Sequence, residues 1–389
     1  MPLPLDDIKY EYPVTLNNAY LNTGTDGPIS RTTLRVIQEK LQREFSEGRI
    51  NFDVFLDEHM PELKALRANF GHVLGADEDE IAITHHTTDG MNIAMWGINW
   101  QPGDEIITTK SEHPGGLLPI YTLAKRFGLT IRMVDVGDED DALLDLMRPM
   151  FSARTRLVML SHVSYQTSAV YPLAEVVALA HAHGALVCVD GAQSAGAIPL
   201  DMHALGVDFY AIPGQKWLCG PEGVGALYVR RDLISAILPT FVGFLSMRDF
   251  TSMSMSGDYI PAETAQRFEV GTVNFPNIYG MNASLTQLAT EIGYDHVFET
   301  TQTRTTQVRE VLAEIPAVTI HSPPRHAGLT TFSVDGVAAD DMVAFLKQRD
   351  VLIRAVQAHK RLRVSTSFYN SEADLMMLAE GIYQFSKAN

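Results

Sequence analysis

One stretch of the chain, from residue 186 to residue 229, constrains the fold more than any other. It contains three short apolar runs, at 186–189, 209–212 and 226–229, bounded by Asp, Pro and Gly. Continuous apolar runs of this length, rich in Val and Ile, are typical of strands covered on both faces. Similar runs alternate with helical patterns in the preceding chain. The sequence therefore predicts an α/β fold with a mainly parallel sheet flanked by helices.

Two charged residues mark the ends of these apolar runs. Asp190 ends the first run, and Lys216 follows the second run and precedes the glycine-rich segment 220–225. Because open α/β sheets bind ligands at the carboxyl ends of their strands, we expect both side chains in one crevice. A desolvated lysine can form imines, and an aspartate can face the pyridinium nitrogen of pyridoxal phosphate. A structural ion pair is the alternative for either residue taken alone.

The motif around these residues resembles that of a known enzyme family. Asp190-x-x-Gln193, followed by Lys216 and Gly220-Pro221-x-Gly223-x-Gly225, is similar to the class V aminotransferase branch of fold-type I pyridoxal phosphate enzymes. The resemblance extends over nearly the whole chain. It implies that Lys216 forms the Schiff base, that Asp190 pairs with the pyridine nitrogen, and that Gln193 donates to the phenolic oxygen. The family usually has Ser-x-His before the lysine, whereas Gln215 stands here and is expected to contact the phosphate.

Further cofactor contacts follow from the same resemblance. Thr87 and Thr88 open a predicted helix, where hydroxyl groups can be simple caps or phosphate ligands. The family places its phosphate-binding threonine at this point. His113, in a Glu-His motif, is expected to stack on the cofactor ring and shuttle protons. Thr272, in Glu269-x-Gly271-Thr272, is expected to reach the phosphate in the neighbouring subunit, which implies a homodimer with shared active sites.

The segment 361–370 resembles the family's arginine motif and indicates how a small amino-acid substrate is bound. A planar guanidinium can hold a carboxylate through two parallel hydrogen bonds, and Arg363 is the residue expected to do so. Asn22, Gly24 and Ser164 are expected to border the substrate. No pattern of histidines predicts a metal site.

Within the family, the sequence at residues 87–97, 103–106 and 112–115 looks most like cysteine and cystine C–S lyases and is shared by isopenicillin N epimerase-like proteins. A lyase would release pyruvate, ammonia and a thiol or persulfide by β-elimination. Epimerisation, transamination and a desulfurase-like reaction share the same residues. A protein that binds pyridoxal phosphate without catalysis is the non-enzymatic alternative. No cysteine follows residue 219, which argues against a desulfurase that carries sulfur on a thiol of its C-terminal half.

Composition narrows the remaining possibilities. The net charge of −17 argues against nucleic acid or an anionic membrane as a partner. The N-terminus lacks the pattern of a signal peptide, so a cytoplasmic location is expected. We expect an N-terminal segment at 1–28 beside the active site and a large cofactor-binding domain at 29–255. A small C-terminal α+β domain should span 256–389, with an interface loop at 267–276.

Overall fold

The computed structural model describes residues 3–49, 52–137, 142–356 and 360–388. Its strands, in chain order, are β1 (Ala19–Tyr20), β2 (Ile81–Thr84), β3 (Glu105–Thr109), β4 (Thr130–Val134), β5 (Thr155–Ser161), β6 (Leu186–Asp190), β7 (Phe209–Pro213), β8 (Gly225–Val229), β9 (Val318–Ile320), β10 (Leu329–Val334), β11 (Val351–Leu352), β12 (Arg354–Val356) and β13 (Arg361–Ser365).

The α-helices are α1 (Leu5–Glu11), α2 (Val14–Asn17), α3 (Arg31–Glu47), α4 (Phe52–Val54), α5 (Met60–Leu74), α6 (Thr87–Trp96), α7 (Pro114–Phe127), α8 (Leu143–Met147), α9 (Leu173–Ala182), α10 (Met202–Leu205), α11 (Phe275–Gln287), α12 (Tyr294–Ala313), α13 (Ala339–Lys347) and α14 (Glu372–Ala388). Short π-helical turns join α4 to α5 and α11 to α12. None of the helices in the described ranges is long and apolar enough to cross a membrane.

The large sheet has the order β2-β8-β7-β6-β5-β3-β4. Within this sheet, β8 runs antiparallel to β2 and β7, and every other pair of neighbouring strands is parallel. The prediction of a mainly parallel sheet is therefore confirmed. Alternate strand residues enter two different cores. Val187 and Val189 pack on one face, whereas Cys188 packs on the other, and all three are completely buried. Helices cover both faces, which explains why these strands are apolar throughout.

A smaller antiparallel sheet has the order β12-β13-β10-β9 and packs around its own hydrophobic core. The N-terminal segment joins this part of the molecule, because β1 pairs with β11 and Asn22 bridges to Ser365. In contrast, α11 packs against α3 and α5 beside the large sheet. The boundary between residues 255 and 256 stays a prediction.

Candidate active site

A cavity of about 260 Å³ lies where the ends of β6 and β7 face the small sheet. Its walls contain most of the side chains that the sequence analysis selected. Its lining comprises Gly24, Thr25, His86, Thr87, Thr88, His113, Tyr165, Asp190, Ala192, Gln193, Pro213, Gln215, Lys216, Arg354 and Arg363.

Lys216 and Asp190 reach this cavity from neighbouring parallel strands. Asp190 ends β6, and its Oδ1 accepts a hydrogen bond of 2.9 Å from the backbone N–H of Ala192. Lys216 follows the end of β7. Burial lowers the pKa of Lys216 to about 8, against the opposing effect of the Asp190 carboxylate. A lysine with this pKa is partly neutral near neutral pH, as a nucleophile or general base requires.

The start of α6 forms another wall. His86 is the N-cap, and its Nδ1 accepts a hydrogen bond of 3.0 Å from the backbone N–H of Asp89. Thr87 and Thr88 are therefore the first two helical residues, where backbone N–H groups lack intrahelical partners. This end of a helix favours an anion such as a phosphate. Gly115 of α7 packs closely on Thr88, since a Cβ at residue 115 would lie 2.4 Å from the Thr88 Oγ1.

His113 borders the cavity as the N-cap of α7. Its Nδ1 accepts a hydrogen bond of 3.0 Å from the backbone N–H of Gly115, which leaves Nε2 to carry the proton. The imidazole also contacts Tyr165 edge to face, with ring centroids 5.2 Å apart. Burial lowers the pKa of His113, so the neutral form that can stack or accept a proton is favoured.

Gln193 connects the cavity to the N-terminal segment. Its Nε2 donates to the carbonyl oxygen of Gly24 at 2.8 Å, and its Oε1 accepts from the Trp217 indole at 3.0 Å. These bonds fix the orientation of the amide. One N–H of the amide remains to serve a ligand.

Arg363 and Arg354 present a pair of guanidinium groups to the same space. They are opposite each other in the register of β13 and β12. Arg363 is almost completely buried, and its pKa is lowered to about 9, first by burial and then by the Arg354 charge. Among the described residues, both guanidinium groups donate hydrogen bonds to neutral oxygen atoms, and the Arg363 Nε has no hydrogen-bond acceptor. A buried, unneutralised cation of this kind favours an anionic ligand.

Three of the predicted residues do not line the cavity. Ser164 is buried behind it, with its Oγ accepting from the backbone N–H groups of Gln166 and Thr167. Asn22 stands behind Thr25 and accepts a hydrogen bond from its hydroxyl. Thr272 is exposed and lines a separate cavity of about 620 Å³.

The structure adds Thr25, His86, Tyr165 and Arg354 to the site. Tyr165 stands directly after Ser164, and its carbonyl oxygen accepts a hydrogen bond of 3.1 Å from Arg363. The histidine pair at 85–86 suggests only a loop in sequence, yet His86 caps α6 at the cavity. Arg354 follows three apolar residues, at 351–353, and precedes two more. Its pairing with Arg363 across two strands is the signal that identifies it, and no local motif contains that pairing.

Comparison with known proteins identifies the family. The pattern described as Aminotransferase class-V matches residues 20–378. The chain belongs to this family. A cysteine desulfurase of Klebsiella pneumoniae is 29% identical over all of this chain and 99% of its own length. A probable cysteine desulfurase of Mycobacterium leprae is 32% identical and aligns with 98% of this chain and 96% of its own length.

Solved structures agree with this assignment. The cystine C–S lyase C-DES, in complex with its reaction product cysteine persulfide, is 30% identical with a TM-score of 0.88. That alignment covers 96% of this chain and 99% of the lyase. The cysteine desulfurase of Thermococcus onnurineus is 25% identical with a TM-score of 0.89 and covers 100% of this chain and 99% of its own. The predicted fold-type I architecture is confirmed.

Proposed function

We propose that the protein is a pyridoxal phosphate-dependent carbon–sulfur lyase that cleaves L-cystine by β-elimination. The observation that carries this proposal is the pair of guanidinium groups, Arg354 and Arg363, in the same cavity as Lys216 and Asp190. The two arginines suit a substrate amino acid with two carboxylates. Lys216 and Asp190 suit the cofactor. A C-DES structure with glycine covalently linked to its pyridoxal phosphate shares this fold at 30% identity and a TM-score of 0.89.

The cavity residues fit pyridoxal phosphate. The start of α6, with Thr87 and Thr88, would hold the phosphate. Gln215 would assist, because it lines the same cavity and its side-chain amide can donate a hydrogen bond to a phosphate oxygen. Asp190 would face the ring nitrogen, with Gln193 at the phenolic oxygen. His113 would cover the ring.

When bound, pyridoxal phosphate supplies an electron sink for negative charge at the substrate Cα. Lys216 would link to the cofactor at rest and accept the Cα proton from the substrate during turnover. Its lowered pKa suits it to that proton transfer. The negative charge of Asp190 favours a proton on the ring nitrogen, and Arg363 would hold the α-carboxylate through two parallel hydrogen bonds.

Arg354 supports cystine over cysteine as the substrate. Cystine carries a second carboxylate beyond its disulfide, and a second guanidinium near Arg363 can bind it. Cleavage of the Cβ–S bond would release cysteine persulfide as the leaving group. Hydrolysis of the remaining three-carbon fragment would give pyruvate and ammonia.

A desulfurase that carries sulfur on its own thiol is less well supported. The chain has two cysteines, Cys188 and Cys219, and both are completely buried. Burial raises the pKa of each thiol, so neither is suited to attack a substrate sulfur.

Product analysis tests the function. The purified protein, loaded with pyridoxal phosphate, should convert L-cystine to pyruvate and a persulfide, and Lys216→Ala should form neither while retaining its circular dichroism spectrum. L-cysteine supplied separately would give alanine with released sulfur if the enzyme were a desulfurase, and D-amino acid from either substrate would indicate epimerisation. Either of those results, without pyruvate, would reject the lyase.

A further inference from the structure

We propose that Thr25 is a positioning residue that sets the preference for substrates with two carboxylates. It does so by bridging the Arg354 and Arg363 guanidinium groups. This inference rests on the proposed function, because it assigns the two arginines to substrate binding. Thr25 has no place in the sequence motifs that identified the site.

The hydroxyl of Thr25 has a hydrogen-bond partner both as a donor and as an acceptor. It donates its proton to the Asn22 Oδ1 at 2.6 Å. Its oxygen then accepts from the Arg354 NH1 at 3.2 Å and from the Arg363 NH2 at 3.1 Å. A hydroxyl has one proton and two lone pairs, so these three bonds satisfy it completely.

This bridge resolves an electrostatic problem. Two guanidinium groups near one cavity repel each other, and the pKa of Arg363 is lowered partly for that reason. A neutral acceptor between them holds both in place without neutralising their charge. Each arginine therefore keeps its attraction for a substrate carboxylate, whereas an aspartate or glutamate at residue 25 would compete for that role.

The turn that carries Thr25 is itself fixed to the site. The Gly24 carbonyl accepts from the Gln193 side chain, and the backbone N–H of Gly27 donates to the Gln215 carbonyl oxygen at 2.7 Å. Thr25 also donates its backbone N–H to the Asn22 carbonyl at 2.9 Å. The Thr25 hydroxyl is thus held at a constant position relative to both arginines.

Thr25→Val and Thr25→Ser test this role. Valine keeps the shape but removes the acceptor, whereas serine keeps the hydroxyl. We expect Thr25→Val to lower the ratio of kcat/KM for L-cystine over S-methyl-L-cysteine about tenfold, mainly through KM for cystine. Thr25→Ser should restore the ratio to within about twofold of wild type. An unchanged ratio in Thr25→Val, or an equal loss in both variants, would overturn the proposal.

A binding measurement separates this inference from the lyase assignment. L-cystathionine carries two carboxylates and L-methionine carries one, and calorimetry on the cofactor-loaded Lys216→Ala protein reports their affinities without turnover. Adding Thr25→Val should reduce the affinity for cystathionine about tenfold more than the affinity for methionine. If wild type forms no pyruvate but this difference is present, the lyase proposal fails and the role of Thr25 stands. If the two affinities change equally, Thr25 has no such role, whatever the wild type produces.

Discussion

Burial sets the protonation of individual residues around the cavity, including one that the proposed chemistry does not use. Glu112 precedes His113 and is buried. It accepts hydrogen bonds from the Thr109 hydroxyl and from both the backbone N–H and the hydroxyl of Ser161. Burial raises the pKa of Glu112 to about 7, and these hydrogen bonds only partly oppose the shift. The Asp190 carboxylate adds to it.

Glu112 should make stability depend on pH. Because its pKa in the folded protein lies above the ordinary value of 4.5, the folded state holds a proton that the unfolded chain releases. Stability from this group is complete below pH 4.5 and falls by up to about 3 kcal/mol as pH rises through 7. We expect Glu112→Gln to reduce the decline in unfolding free energy between pH 5 and 8, measured by urea titration. The exposed Glu263→Gln should keep the wild-type slope. Identical slopes in all three proteins would contradict this.

Arg354 should determine which amino acids are cleaved. Arg354→Met keeps the length of the side chain and removes its charge, so the second carboxylate of cystine loses its partner. We expect kcat/KM for L-cystine to fall about 100-fold, and that for S-methyl-L-cysteine by less than about threefold. Steady-state pyruvate assays give both values. Arg354→Lys retains the charge without the planar donor pair, so its kcat/KM for L-cystine should lie between those of wild type and Arg354→Met. An equal loss for the two substrates would exclude a role in selectivity.

Among the structural elements, the N-terminal turn is tied most closely to the chemistry. Gly27 lies against the lysine-bearing loop, and a Cβ at this position would approach the Lys216 carbonyl oxygen to 2.0 Å. Backbone cannot yield as a flexible side chain can. The turn therefore requires glycine because of close approach.

Gly27→Ala should displace Lys216 and weaken the hold on the cofactor. We expect altered visible absorption of the bound cofactor and a loss of pyruvate formation of at least about 100-fold. Gly184→Ala is the matched control. Gly184 has a φ of 71° with no atom near its potential Cβ, so alanine there costs about 1 kcal/mol of stability without touching the site. Equal absorption spectra in Gly27→Ala and Gly184→Ala would show that the close approach of residue 27 to Lys216 does not affect cofactor binding.

The elements also show what could be predicted from the sequence. Continuous apolar runs predict buried parallel strands. Because the carboxyl ends of such strands meet at one edge of the sheet, they also predict that Asp190 and Lys216 lie in one crevice. Thr87 at the helix start and Arg363 on β13 are selected because the segments around them resemble motifs of the family. Thr25 and Arg354 could not be found this way, because their importance comes from the hydrogen bonds that the Thr25 hydroxyl accepts from Arg354 and Arg363, which lie far from it in the sequence. Such pairings depend on the fold of the small sheet against the N-terminal turn.

For the whole molecule, the position of Thr272 favours the predicted homodimer. Thr272 is exposed and does not line the cavity that contains Lys216. If Thr272 contacts a cofactor phosphate, that cofactor would therefore have to be bound in a second subunit. Large apolar side chains that line the same cavity as Thr272 are exposed in the single chain, namely Phe241 at 70% and Val242 at 53%. Exposed patches of this kind are typical of protein–protein interfaces. We propose that this face is covered by a second copy of the chain.

Subunit mixing tests whether the active sites are shared. Lys216→Ala removes the essential amine, and Thr272→Glu places a negative charge where the phosphate of the neighbouring subunit is expected, so each homodimer should be inactive. A mixed dimer would contain one doubly altered site and one fully wild-type site. Random subunit exchange should therefore recover about a quarter of wild-type activity per site. Thr272→Ser should remain active, and sedimentation should show that all variants are dimers. Full-length dimers that exchange subunits without regaining activity would show that each chain builds its site alone.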